Sequence, residues 1–123
     1  MNIALWIVQG LLALAFLMAG FMKASQPKEK LAGQMAWVED FNANNVRLIG
    51  ILEISAAIGL IVPPVTGILP WLAPLAAFGL VLTMLGAAAT HARRGENQMI
   101  GINVALLLLA AFVAYGRFVI APF

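Results

Sequence analysis

Residues 3–22 read IALWIVQGLLALAFLMAGFM, an apolar run that only Gln9 interrupts. About 20 apolar residues in a helix span the hydrocarbon core of a bilayer. Three more runs of similar length follow, at 46–62, 71–90 and 99–119. These runs are too long for barrel strands and do not alternate polar with apolar residues as such strands do. Because a backbone in lipid must satisfy its own hydrogen bonds, the sequence predicts an all-α membrane protein, with four transmembrane helices bundled into a single domain, 1–123.

The composition agrees with this fold class and excludes several kinds of site. The chain is 63% apolar and 10% charged, whereas about a quarter of the residues in a soluble domain are charged. It has no cysteine and one histidine, so disulfides, thiolate metal sites and multi-histidine metal or haem sites are excluded. The net charge of +2 rests on few residues and does not indicate nucleic-acid binding. We therefore expect no bound metal or cofactor, and a lipid bilayer as the main partner.

The polar stretch 23–45 separates the first two runs. A short interfacial helix is predicted within it, beginning at Pro27, because Leu31, Met35 and Val38 would share one helical face. An ordered loop is the alternative.

Several residues are typical of helix ends. Asn44 or Asn45 is predicted to cap the start of the second helix, and Pro70 suits the first turn of the third. Pro63 and Pro64 are predicted to end the second helix, because neither has an amide hydrogen and each disfavours helix in the residue before it.

Small residues four positions apart are typical of close helix packing in membranes. Examples in the apolar runs are Ala15/Ala19, Gly79/Thr83 and Gly86/Thr90. Apolar helices contain many of these pairs by chance.

The loop charges predict an orientation. With four crossings, the loops 23–45 and 91–98 lie on one side of the membrane, opposite both termini. That side has six basic residues against Arg117 alone on the other, and they are Lys23, Lys28, Lys30, Arg47, Arg93 and Arg94. Both loops are therefore predicted to be cytoplasmic and both termini outside. Four of these residues are predicted to be lipid-headgroup anchors and topology determinants: Lys23, Arg47, Arg93 and Arg94.

Glu53 is the main candidate for a functional residue. A carboxylate within a transmembrane helix is costly to keep ionised, so it marks a functional site by default. It shares one predicted helical face with Val46, Gly50, Ala57 and Leu60. The small neighbours indicate that this face packs against another helix. Two interpretations stay open: Glu53 binds a ligand or proton, or it forms a structural hydrogen bond between helices.

Three further polar residues lie in the same half of the membrane. Thr83 is level with Glu53, and Asn103 is slightly nearer the surface. His91, near the end of the third run, is either a charged helix cap or a group that exchanges protons with Glu53. The cluster predicts a ligand-binding or proton-binding site and contains no catalytic motif.

Five segments together resemble those of DoxX-like membrane proteins. They are AGFMK (19–23), RLIGILE (47–53), GLIVP (59–63), TMLGA (83–87) and HARRGE (91–96). The resemblance covers essentially the whole chain and implies a four-helix protein of the bacterial inner membrane. It also suggests quinone-linked work, since the family name comes from components associated with a quinol oxidase and with thiosulfate–quinone chemistry.

Three functions follow as hypotheses. The first is an accessory or binding protein that holds a small lipophilic ligand, a quinone or a lipid, near Glu53, or that serves a partner complex. The second is a proton-coupled transporter that uses Glu53. The third is a subunit of a quinone-linked oxidoreductase, in which a redox partner carries the cofactor. A homo-oligomer is compatible with each, whereas a stand-alone enzyme is the least favoured because the chain has no nucleophile–base pair or metal-ligand set.

Overall fold

The computed structural model describes residues 1–26 and 41–122. Within these ranges the chain forms four long helices and no strand. They are α1 (Asn2–Ser25), α2 (Ala43–Thr66), α3 (Leu72–Arg93) and α4 (Asn97–Tyr115), and a π-helical turn, Gly116–Ile120, extends the last one. All four are long and apolar enough to cross a membrane, which confirms the predicted fold class. The interfacial helix predicted from Pro27 lies outside the described residues.

The helices form an antiparallel bundle with two distinct ends. The end where α1 and α3 finish and α2 and α4 begin has most of the charged residues, and we call it the charged end. The opposite end, with both termini and the turn between α2 and α3, is the terminal end. The most extensive packing is between α1 and α2 and between α3 and α4, whereas α1 and α4 contact each other much less.

The backbones of α1 and α2 come very close at Gly20 and Gly50. A Cβ atom built on Gly50 would lie 2.6 Å from the carbonyl oxygen of Gly20 and 2.6 Å from the backbone nitrogen of Ala24. No side chain fits at such a distance, so glycine is required here. By contrast, a Cβ built on Gly79 or Gly86 would meet nothing within 4 Å, so these predicted packing positions are not points of close helix contact.

Apolar residues from all four helices fill the middle of the bundle. The largest of them are Leu12 and Phe16 on α1, Leu60 on α2, and Leu80 and Met84 on α3, packed against Val113 on α4. The face of α2 predicted to pack inward, Val46, Gly50, Glu53, Ala57 and Leu60, is buried at every position.

The ends of α2 differ from the sequence prediction. Its N-cap is Asn42, whose side chain accepts a hydrogen bond from the backbone N–H of Asn45 over 2.8 Å; Asn44 and Asn45 lie inside the helix. The prediction that Pro63 and Pro64 end the helix was also wrong. The helix continues to Thr66 and ends at Gly67, which has the left-handed φ of 75°.

A glutamine on a neighbouring helix compensates for Pro64. Because Pro64 has no amide hydrogen, the carbonyl of Leu60, one turn earlier, loses its helical donor. Gln9 Nε2 of α1 donates to that carbonyl over 2.7 Å, and Gln9 Oε1 accepts from Arg117 Nε over 2.7 Å. Neighbouring side chains satisfy freed backbone groups in this way inside membranes. This hydrogen bond explains why a buried glutamine interrupts the first apolar run.

This arrangement predicts that the cost of losing Gln9 depends on Pro64. Gln9→Leu removes the donor to the Leu60 carbonyl and the acceptor for Arg117, so we expect it to lower the free energy of unfolding by about 1–3 kcal/mol. In a Pro64→Ala background the new amide can bond to Leu60, and the same substitution should cost less. Reversible unfolding in mixed micelles measures the four variants, and an equal cost in both backgrounds would contradict the account.

Candidate functional site

A cavity of about 610 Å³ lies in the charged half of the bundle. All four helices line it, and its walls are mainly apolar. The four residues predicted for the site all line it: Glu53, Thr83, His91 and Asn103. Its volume is within the range of about 300–1,000 Å³ that is typical of small-molecule sites.

Small residues leave this space open. Of the residues predicted to allow close packing, Ala15, Ala19, Thr83, Gly86 and Thr90 line the cavity. Ala87 and Ala89 add to the same wall. The small-residue pattern in this half therefore marks the cavity wall.

Glu53 is paired with Lys23 of α1. Lys23 Nζ lies 2.5 Å from Glu53 Oε1, and their side chains are 11% and 2% exposed. A Cβ on Gly50 would lie 2.8 Å from the Cβ of Lys23, so the glycine also leaves room for the lysine side chain. Lys23 was predicted to anchor headgroups, but its ammonium is directed inward because a buried carboxylate offers a charge-assisted hydrogen bond. Arg47, assigned the same anchoring role, is exposed, and that role stays a prediction.

Asn103 of α4 has an unsatisfied acceptor in the cavity wall. The residue is 6% exposed, and its Nδ2 donates to Met84 Sδ over 3.8 Å. Its Oδ1 is buried and has no hydrogen-bond partner within the described residues. A buried polar atom of this kind requires a partner, because most such atoms in native proteins have one.

The two threonines of the wall already use their hydroxyl hydrogens within α3. Thr83 donates to the carbonyl of Gly79 over 2.9 Å, and Thr90 donates to that of Gly86 over 3.0 Å. Both are bonds to the preceding turn, as is common for hydroxyl side chains in helices.

His91 closes the cavity wall at the charged end. It is 4% exposed, and its Nδ1 lies 2.8 Å from Glu96 Oε1, which also accepts a hydrogen bond from Arg94 Nε over 3.3 Å. The hydrogen bond from His91 lowers the pKa of Glu96, and Arg94 acts in the same direction. His91 lies in the last turn of α3 with its side chain bonded to Glu96, and its role as a charged helix cap stays a prediction. Arg93 lines the cavity nearby, and proton exchange by His91 stays a prediction.

A second polar cluster lies at the terminal end, and the sequence reasoning did not find it. Arg117, 2% exposed, donates to Asn2 Oδ1 over 2.6 Å and to the Ala121 carbonyl over 2.9 Å, besides its bond to Gln9. Its guanidinium also lies 5.4 Å from the centre of the Trp6 ring. The sequence does place Gln9 and Arg117 in the same half of the bundle, and this shared depth could have indicated the cluster.

These features define a membrane protein with four candidate spans, a buried ion pair and an apolar cavity in one half. Residues 7–113 match the DoxX-like family, so the chain belongs to that family and the predicted resemblance is confirmed. No curated protein and no solved structure matches the chain. Within the described residues, no group of three or more histidines and carboxylates could hold a metal ion.

The Lys23–Glu53 pair predicts strongly non-additive substitutions. Lys23→Met leaves a buried carboxylate without its partner, so we expect a loss of about 3–5 kcal/mol in the free energy of unfolding. Lys23→Met combined with Glu53→Gln should lose much less, because no buried charge remains. Unfolding in mixed micelles measures both, with the exposed Arg47→Met as the matched control, expected to change stability by less than about 0.5 kcal/mol. A double variant at least as unstable as Lys23→Met would contradict this interpretation.

Proposed function

We propose that this DoxX-like protein binds a small lipophilic molecule from the bilayer, a lipid or a quinone-sized compound, in the cavity beside Glu53. The observation that carries the proposal is the combination of an open apolar cavity with a buried, unsatisfied Asn103 oxygen in its wall. An apolar cavity with a few placed polar groups is the usual form of a small-molecule site.

The distribution of polar groups supports a binding site with one defined orientation. The apolar wall, formed by residues such as Phe16 and Leu106, suits a hydrocarbon body. Asn103 and the Lys23–Glu53 pair provide the polar groups that fix its head. The acid–base pair is internally neutralised, so the cavity can accept an uncharged ligand without leaving a lone buried charge.

The apolar core supports binding in preference to passage through the bundle. Leu12, Leu60, Leu80 and Val113 pack together between the cavity and the terminal end, and each is at most 1% exposed. A transporter needs access to its site from both sides in turn, so proton-coupled transport would require this core to open. Transport by Glu53 therefore stays a prediction of the sequence.

We also propose that the protein lies in the bacterial inner membrane with its charged end in the cytoplasm. Six of the seven basic residues support this orientation. A redox partner and a homo-oligomer stay predictions. A role beside an oxidoreductase would need that partner to carry the electrons, because the chain has no cysteine.

Two glycines on α3 allow a matched test of the cavity. Gly86 lines the cavity, whereas Gly79, two turns earlier on the same helix, does not, and a Cβ atom added at either one would meet nothing within 4 Å. We expect Gly86→Leu to fill part of the cavity and to lower the occupancy of copurified small molecules at least tenfold. Gly79→Leu should leave occupancy unchanged, because position 79 lies about 10 Å further along α3 toward the terminal end, outside the residues that line the cavity.

Native mass spectrometry of the protein released from lipid nanodiscs measures this occupancy. Equal occupancy in Gly86→Leu, Gly79→Leu and the wild type would overturn the proposed function, as would the absence of any bound small molecule in the wild type.

A further inference from the structure

We infer that the ligand carries a hydrogen-bond donor, a hydroxyl group on an apolar body, and that it donates to Asn103 Oδ1. This inference rests on the proposed function and adds the chemical class of the ligand. The basis is the buried Asn103 oxygen, which has no partner among the described residues, whereas other polar side chains of the wall are bonded to each other or to the backbone.

Most of the other polar side chains of the wall have partners. Lys23 and Glu53 bind each other, and His91 binds Glu96. The hydroxyl hydrogens of Thr83 and Thr90 are used within α3. Asn103 Oδ1 is the buried acceptor of the cavity wall without a partner among residues 1–26 and 41–122.

The orientation of the Asn103 amide follows from its neighbour. A thioether sulfur is a weak acceptor and never a donor, so it can receive a hydrogen bond only from the NH2 side of the amide. With Nδ2 on Met84 Sδ, Oδ1 is the atom of this lining residue that has no partner among the described residues. An unpartnered acceptor such as Asn103 Oδ1 favours a ligand that carries a hydrogen-bond donor.

This selection separates two kinds of lipophilic molecule. Ketones, ethers, esters and quinones in their oxidised form present only acceptors, so their lone pairs would face the lone pairs of Oδ1. An alcohol or a phenol presents an O–H and completes the hydrogen bond. A site built to bond a donor rejects an analogue without one, because the buried acceptor is then left unpaired.

Farnesol and its methyl ether are suitable probes, since they share the apolar body and differ at the donor. Binding to the protein in nanodiscs is measured by native mass spectrometry, corrected for partition into empty nanodiscs. We expect the wild type to bind farnesol at least about tenfold more tightly than the ether, the effect of one buried hydrogen bond. Asn103→Leu, of similar size, should bring the two affinities together. Thr66→Val, outside the residues that line the cavity, is the matched control and should keep the difference, because that hydroxyl is bonded within α2.

Each outcome bears on the inference. Equal binding of the two probes to the wild type would overturn it, including the case in which a water molecule satisfies Asn103. The proposed function would still stand if Gly86→Leu abolished the binding of both. Binding of neither probe would count against both proposals. Should Asn103→Leu fail to fold, the alcohol–ether difference in the wild type and in Thr66→Val decides the matter.

Discussion

The close crossing of α1 and α2 is the constraint on which the rest of the bundle depends. At Gly20 and Gly50 the two backbones approach so closely that a single added methyl group would collide with backbone atoms of the other helix. The hydrophobic effect does not drive helices together within a bilayer, because the lipid tails are as apolar as the side chains. Close packing of this kind is therefore a main source of helix association in membranes. The same glycine, Gly50, gives Lys23 the room to reach Glu53. The glycine crossing therefore holds α1 against α2 and also leaves room for the lysine that neutralises the buried carboxylate.

The two halves of the bundle use their polar residues differently. In the terminal half, Gln9 donates to the carbonyl freed by Pro64 and accepts from Arg117, so these bonds join α1 to α2 and to the C-terminal turn. In the charged half small residues leave a cavity open, and Asn103 in its wall has an oxygen without a partner among the described residues. A buried polar atom without a partner calls for a further group, a water or a ligand, that bonds to it. The Asn103 oxygen belongs to a residue that lines a cavity, and this is why the proposed function concerns the charged half.

The sequence was sufficient for the fold and for the buried face of α2 that contains Glu53. Long apolar runs have one solution in lipid, and the helical spacing around Glu53 identified a face that is buried throughout. It was insufficient where the outcome depended on a neighbouring helix. Pro63 and Pro64 read as a helix end, since the sequence does not show that Gln9 can replace a missing amide. Lys23 read as a headgroup anchor for the same reason: its inward direction depends on the space above Gly50. Small residues are equally compatible with two helices in close contact and with the wall of a cavity. Which of the two occurs depends on the position of the facing helix, which the sequence does not give.

The stability of Gly50→Ala, compared with Gly79→Ala, tests the central constraint most directly. Both substitutions add one methyl group to a helical glycine, but only the first places it against another backbone. The account predicts that Gly50→Ala lowers the free energy of unfolding in mixed micelles by about 1–3 kcal/mol. Gly79→Ala should leave it unchanged or raise it by up to about 1 kcal/mol, because alanine favours helix. Equal stability of the two variants would contradict the claim that the glycine crossing holds the bundle together.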